Sequence, residues 1–229
     1  MSNLDFSVYR AQEIDMKLQR LHVRPLDIMV TGVTGAGKST TLNTFFQKTV
    51  ARVGDGVDPE TMTAEAYRLN DWFRLWDTPG LGDNVETDRQ HKKKIIDLLY
   101  YTYPFHGEDY GFIDLVLVVI EGANRDMGTT YDLLNSVIVP NIQTSRILVV
   151  INQADMAMKG WHWDHTANKP DDVLLSFLEE QAQSIQRRVR EATGISILKP
   201  VYYSAKYGWN VQAVFDFIIK NIPNQRRPL

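Results

Sequence analysis

The octet Gly32-Val33-Thr34-Gly35-Ala36-Gly37-Lys38-Ser39 reads G-x-x-x-x-G-K-S and directly follows an apolar run, Leu26 to Val30. This is the composition of a phosphate cradle. Glycines let the backbone turn until successive N–H groups converge on one anion, Lys38 adds a cation for the outer phosphates, and the Ser39 hydroxyl suits Mg²⁺. Thr40 to Phe46 reads as a helix whose N-terminus faces the same anion, so loop and dipole act together. Down the chain stand Asp77-Thr78-Pro79-Gly80, Asn152-Gln153-Ala154-Asp155 and Ser204-Ala205-Lys206, each at the end of a short apolar run. Asp77 can hold Mg²⁺ through a water, and the Gly80 N–H can reach a terminal phosphate because no side chain blocks its approach.

The elements that must position these residues follow from periodicity. Apolar runs at Leu26–Val30, Phe73–Trp76, Ile113–Ile120, Ile147–Ile151 and Val201–Ser204 predict strands buried on both faces. Helical spacing at 39–49, 87–101, 129–139, 173–193 and 211–222 alternates with them, which predicts a doubly wound α/β domain. Tyr67 to Leu69 is expected to pair antiparallel with Phe73–Trp76 across Asn70-Asp71. The four motifs then share the carboxyl ends of strands, where open α/β sheets bind ligands. Ahead of them, Ala11, Ile14, Leu18 and Leu21 form one face of a helix over 7–22. That face is expected to pack on the domain itself, with docking to a partner as the alternative. Two segments look irregular: 53–59, placed as a switch loop, and 156–172, which contains Trp161-His162-Trp163-Asp164-His165. His162, Asp164 and His165 match no metal signature, so a surface or contact loop is expected there.

The bulk properties fit one domain of ordinary composition. The chain has 229 residues, 44% of them hydrophobic and 23% charged, with a net charge of −3 and no cysteine. Disulfides and thiolate metal sites are excluded, and no stretch is long and apolar enough to span a bilayer. The first residues, MSNLDFSVYR, lack the pattern of a secretory leader, so cytoplasmic residence is expected. Negative net charge gives no global attraction to nucleic acid, although Lys92-Lys93-Lys94 offers a local basic run. The organisation expected is an N-terminal helix over 1–24, a catalytic domain over 25–222 and a short tail over 223–229.

Taken in order, the four motifs resemble the translation-factor-related class of P-loop GTPases, particularly the Era and TrmE-like group. The GAGKST and WDTPG sequences are also similar to those of septin, AIG1-like and immunity-related GTPases, and closer still to those of bacterial predicted GTPases with a DTPGLGD segment. The resemblance runs from Leu26 to about Ile222. It implies a P-loop NTPase fold of three layers, α/β/α, with a six-stranded, mostly parallel sheet. It also implies GTP or GDP as ligand and Mg²⁺ as cofactor. Gly32, Thr34, Gly35, Ala36, Gly37, Lys38, Ser39 and Thr40 would cradle the phosphates, with Asp77 and Gly80 beside them. Ser39, Asp77 and a switch threonine would hold the metal; Thr61 is placed in that role, with Thr63 competing for it. Asp155 would take the N1 and N2 hydrogens of guanine, Asn152 would brace the pocket, Ser204 would support it, the Ala205 N–H would meet O6, and Lys206 would lie along the base. Gln153 stands where the family pattern has lysine. Its stem can cover the base, but contacts of the cation with the phosphate loop are expected to be lost.

Catalytic roles under this resemblance fall to Lys38, Thr61 and Gly80. After D-x-x-G, where Ras-like proteins carry a glutamine that orients water, this chain has Leu81. The asparagine used by potassium-dependent relatives is replaced by Gly35. Slow intrinsic hydrolysis is therefore expected, accelerated by a homodimer across the nucleotide face or by an activating protein, with Arg52, Arg89 and Arg125 as possible charge donors. Two other roles stand beside this one: nucleotide-controlled assembly of the septin kind, and association with ribosome or RNA.

Overall fold

The computed structural model describes residues 4–22, 25–46, 65–123 and 127–229. Helix α1 (Ala11–Leu21) precedes strand β1 (Leu26–Gly32), and α2 (Lys38–Phe46) follows the glycine-rich turn. Strands β2 (Glu65–Arg68) and β3 (Phe73–Asp77) form the expected antiparallel hairpin, with the Asn70 side chain accepting from the N–H groups of Trp72 and Phe73, both at 2.9 Å. Then come α3 (Val85–Tyr100), a small hairpin of β4 (Thr102–Phe105) and β5 (Glu108–Gly111), and β6 (Leu115–Glu121). Helix α4 (Gly128–Asp132) runs on into a wider π-turn, Leu133–Ile138, ahead of β7 (Ile147–Asn152). A ribbon of β8 (Trp163–Asp164) and β9 (Lys169–Pro170) leads to α5 (Asp172–Thr193), β10 (Val201–Tyr202) and α6 (Val211–Lys220).

Six of the described strands form one sheet in the order β10-β7-β6-β1-β3-β2, all parallel except β2. This is the P-loop NTPase arrangement the sequence led us to expect. Central strands have no solvent face: all seven residues of β1 are buried, with Ile28 and Val30 in one core and Met29 in the other. The first core receives Leu42 and Phe45 of α2 and Val214, Phe215 and Ile218 of α6. Ile14, Leu18 and Leu21 of α1 enter it too, so the apolar stripe of that helix is covered by the protein itself. Lys17 and Arg10 secure the helix, donating to the Ile219 carbonyl at 2.8 Å and to Asp216 at 2.6 Å. The second core lies under α3, the π-turn and α5.

The end of the sheet opposite the motifs is closed by buried charge. Asp27 on β1 accepts from Arg74 at 2.5 and 3.0 Å and from the Trp76 indole at 2.7 Å. Arg146 donates to the Asp114 carbonyl at 3.0 Å and to Gln225 at 2.7 Å. The residues after α6 take part in this closure. Arg227 is buried and donates to Leu99, while Arg226 lies 3.4 Å over the Phe105 ring and bonds the Tyr103 hydroxyl. The β4–β5 hairpin, which the sequence reading left out, is held there by that cation.

Asp114 makes this closure pH-dependent. Burial, helped by the Asp27 carboxylate, pushes its carboxyl up to about 7, against the opposing pull of the Asp27 N–H, Arg146 and Arg227. The folded protein therefore keeps a proton that the unfolded chain releases near the ordinary aspartate value of about 4. Stability from this group is complete below about pH 4 and falls as pH rises to about 7, by up to ~4 kcal/mol. Asp114→Asn is expected to flatten the decline in unfolding free energy across that window, as measured by urea titrations at stepped pH.

The segment 156–172 differs from the irregular loop expected of it. Trp163 is buried against Tyr207 and Trp209, with ring centroids 5.3 and 5.7 Å away, and this anchors the β8–β9 ribbon. The three polar candidates have separate tasks. His162 pairs with Asp171 at 2.7 Å, Asp164 accepts from the N–H groups of Thr166 and Ala167, and His165 stands against the Tyr207 ring. Among the described residues no cluster of three histidine or acidic side chains could hold a metal, and no helix is long and apolar enough to cross a membrane.

Candidate nucleotide-binding site

The four motifs meet at the carboxyl ends of β1, β3, β7 and β10. Two glycines show why the backbone permits it. Gly37 has φ +84°, and a methyl group there would fall 2.3 Å from Asn152 Nδ2; a methyl on Gly80 would fall 2.6 Å from Thr34 Oγ1 and 2.8 Å from the Thr34 N. Both positions need φ freedom or near-contact that any side chain would forbid. The Thr34 N–H donates to the Leu81 carbonyl at 2.7 Å, so the glycine-rich loop and the loop after β3 are joined directly.

Lys38 begins α2 and is buried, its ammonium donating to the Gly32 and Val33 carbonyls at 3.2 and 3.1 Å. Burial lowers its pKa from the ordinary lysine value, opposed by Asp77 and Asp83. Ser39 Oγ donates to Asp77 Oδ2 at 3.2 Å, which brings together two of the three expected metal ligands. Hydroxyl and carboxylate oxygens beside a phosphate cradle are the hard donors Mg²⁺ prefers, so the donor set fits that ion. Thr40 is exposed on the first turn of α2. Thr61 and Thr63, the irregular segment 53–59, and Arg52 and Arg125 lie outside the described residues. Arg89 is exposed on α3, and Lys92 pairs with Asp132.

At the other end, Asn152 is the hub. Its amide donates to Ala36 O at 2.9 Å, and its Oδ1 accepts from the Ala205 N–H at 3.0 Å. The phosphate loop, β7 and the segment after β10 are thereby tied through one side chain. The Ala205 N–H thus has a partner in Asn152, and meeting a base carbonyl requires that bond to be shared. Buried Asp155 accepts from the Ser204 hydroxyl at 2.6 Å. Lys206 is exposed, its ammonium 5.1 Å from the Tyr207 ring centroid.

Gln153 corrects one expectation. Its Nε2 donates to Gly35 O at 2.7 Å, so the contact with the phosphate loop that a lysine would make is kept. An amide N–H can satisfy a carbonyl as an ammonium does; only the charge is lost. Sequence reading also missed Thr41 and Thr44. Thr41 bonds Gly37 O and the fully buried Tyr203 hydroxyl, at 2.8 and 2.6 Å, and Thr44 donates to Ala205 O at 3.1 Å. A threonine on a helix carries no pattern that announces such a contact.

Residues 27–185 match the family model described as 50S ribosome-binding GTPase, more than half of the chain. The chain belongs to that GTPase family. No curated protein sequence matches it. Among solved structures it is similar to Toc33 from Arabidopsis thaliana in complex with GDP and Mg²⁺, at 18% identity over 96% of this chain and 93% of that one, TM-score 0.63. A dimerization-deficient Toc33 mutant gives 17% identity, the same coverage and TM-score 0.65. Era from Aquifex aeolicus, bound to GDP and AlF4−, gives 17% identity and TM-score 0.53. The GTPase described here matches 88% of its own length to Era but spans only 58% of that protein. At such identities these neighbours speak for the fold.

Proposed function

We propose that the protein is a Mg²⁺-dependent switch that binds and slowly hydrolyses GTP, with residues 25–222 as the GTPase unit. The observation supporting this reading is the Asn152 hub, which joins the glycine-rich loop to the segment after β10, the two parts that would hold the phosphates and the base. Asp155 presents a buried carboxylate suited to the paired N–H groups of guanine, and adenine lacks that pair. Gly32 to Thr40 hold the phosphates, and Lys38 with the loop N–H groups stabilises the charge that develops as the terminal phosphoryl group leaves. Mg²⁺, when bound, neutralises charge on the outer phosphates, and Ser39, Asp77 and Thr61 would hold it.

The slow rate follows from Leu81, whose side chain is fully buried in the core under α3 and cannot orient a water. We place the missing group on a second copy or on an activating protein facing the nucleotide. Single-turnover hydrolysis followed over a range of protein concentrations tests this. A rate per molecule that climbs with concentration is expected, and a slow rate independent of concentration would shift the role to another protein. The same Leu81 burial also suits a protein whose assembly, rather than turnover, is set by nucleotide; light scattering with GDP and with a non-hydrolysable analogue separates the two.

A further inference from the structure

Helix α3 grips the loop after β3 at Gly80, Gly82 and Asp83. His91, on the second turn of α3, has Nδ1 2.7 Å from the Gly80 carbonyl oxygen. A carbonyl only accepts, so Nδ1 carries the hydrogen and neutral His91 is the Nδ1–H tautomer. One turn earlier, the Asp88 carboxylate accepts from the Gly82 N–H at 2.9 and 3.1 Å and from the Asp83 N–H at 3.3 Å. Between these grips, Leu81 is locked by its buried side chain and by the Thr34 N–H on its carbonyl. Donor His91 and acceptor Asp88 share a face of α3, three residues apart. Gly80 thus stands in series between the phosphate loop, which it touches at Thr34, and the imidazole.

We propose that His91 is a positioning residue for GTP hydrolysis, fixing the Gly80 peptide so that its N–H is presented to the terminal phosphate and coupling that contact to α3. The proposal rests on the GTPase reading above. Its logic is that Gly80 has no side chain to hold its orientation, so a partner on its carbonyl must do so, and His91 is that partner. Loss of the terminal phosphate would be felt by α3 through the imidazole, with Asp88 keeping the rest of the loop in register.

The test compares His91→Ala with His91→Asn, whose Nδ2 replaces the donor at Nδ1. Calorimetry with GDP and with a non-hydrolysable GTP analogue, single-turnover hydrolysis and thermal unfolding are measured on each. His91→Ala is expected to lose on the order of tenfold in hydrolysis and in preference for the triphosphate over GDP, the worth of one hydrogen bond. GDP affinity should be unchanged, and His91→Asn should recover most of the loss. Unaltered hydrolysis, or equal weakening of GDP and analogue, would overturn the positioning role. Nitrogen NMR of the free protein in alkaline buffer reads the tautomer without nucleotide, and an Nε2–H form would refute the grip itself. If wild-type protein took up no guanine nucleotide while showing the Nδ1–H form, the GTPase reading would fail and the grip would stand as structure alone.

Discussion

Lys38→Ala is expected to bind GTP at least ~100-fold more weakly while unfolding at the same temperature as the parent, or slightly above it. In the free protein the ammonium is buried with two backbone carbonyls as hydrogen-bond partners, and burial pulls its pKa down. Holding a cation in that place costs stability, which the alanine variant no longer bears. With a triphosphate the balance reverses. The anion supplies counter-charge at hydrogen-bonding distance to a buried ammonium, where a charge-assisted bond contributes about 3 kcal/mol, roughly 100-fold in affinity. Calorimetry with GTP analogue and GDP, run beside thermal scans, reads both halves. Wild-type affinity in the variant would count against the cradle, whereas loss of affinity accompanied by unfolding would mean that Lys38 holds the loop rather than the ligand.

The second large effect is expected at Asp155. Its carboxylate is 4% exposed and its Oδ1 accepts from Ser204. In Asp155→Ala the paired N–H groups of guanine would face an apolar wall, and preference for GTP over ATP should fall by roughly 10³ to 10⁴. ATP affinity should hardly change, since adenine never used the acceptor. The Ser204 hydroxyl would keep the Tyr207 N–H but lose its own acceptor, at a cost of about 1 kcal/mol of stability. Competition between the two nucleotides for a fluorescent analogue decides the matter; unchanged selectivity would place the base elsewhere.

Much of this architecture is written in local patterns. Strand β1 is legible because a segment covered on both faces is mostly apolar, its Asp27 being held by Arg74 and Trp76, and β2–β3 because the turn-prone Asn70-Asp71 precedes the apolar run of β3. The phosphate loop is legible because glycine at Gly37 is required by sterics that no other residue meets. The β4–β5 hairpin escaped because its residues are mostly half-buried or exposed, with no continuous apolar run, and its anchor, Arg226, comes from more than a hundred residues away. Its turn, His106-Gly107, with φ of +52° and +85°, was the available sign. Likewise the order within 156–172 depends on Trp163 finding Tyr207 and Trp209, partners that no local window contains. Gln153 shows the reverse: a departure from pattern looked like a lost contact, yet the geometry restores it through an amide. The contacts of His91 with nearby Gly80 and of Thr41 with distant Tyr203 join ordinary residues that carry no pattern, and only three dimensions reveal them.

The pairing of α1 with α6 bears on how the protein is made. Helix α1 shares its core with α6, about 200 residues further along the chain, so Ile14 and Leu18 are not covered until Phe215 and Ile218 have been made. During that interval one side of the nascent sheet is greasy and uncovered, a target for chaperones or for like chains on a crowded polysome. Closure of that core is thus a late step with a long contact order, and amino-acid changes in α6 will be felt first as poor yield of folded material rather than as altered turnover.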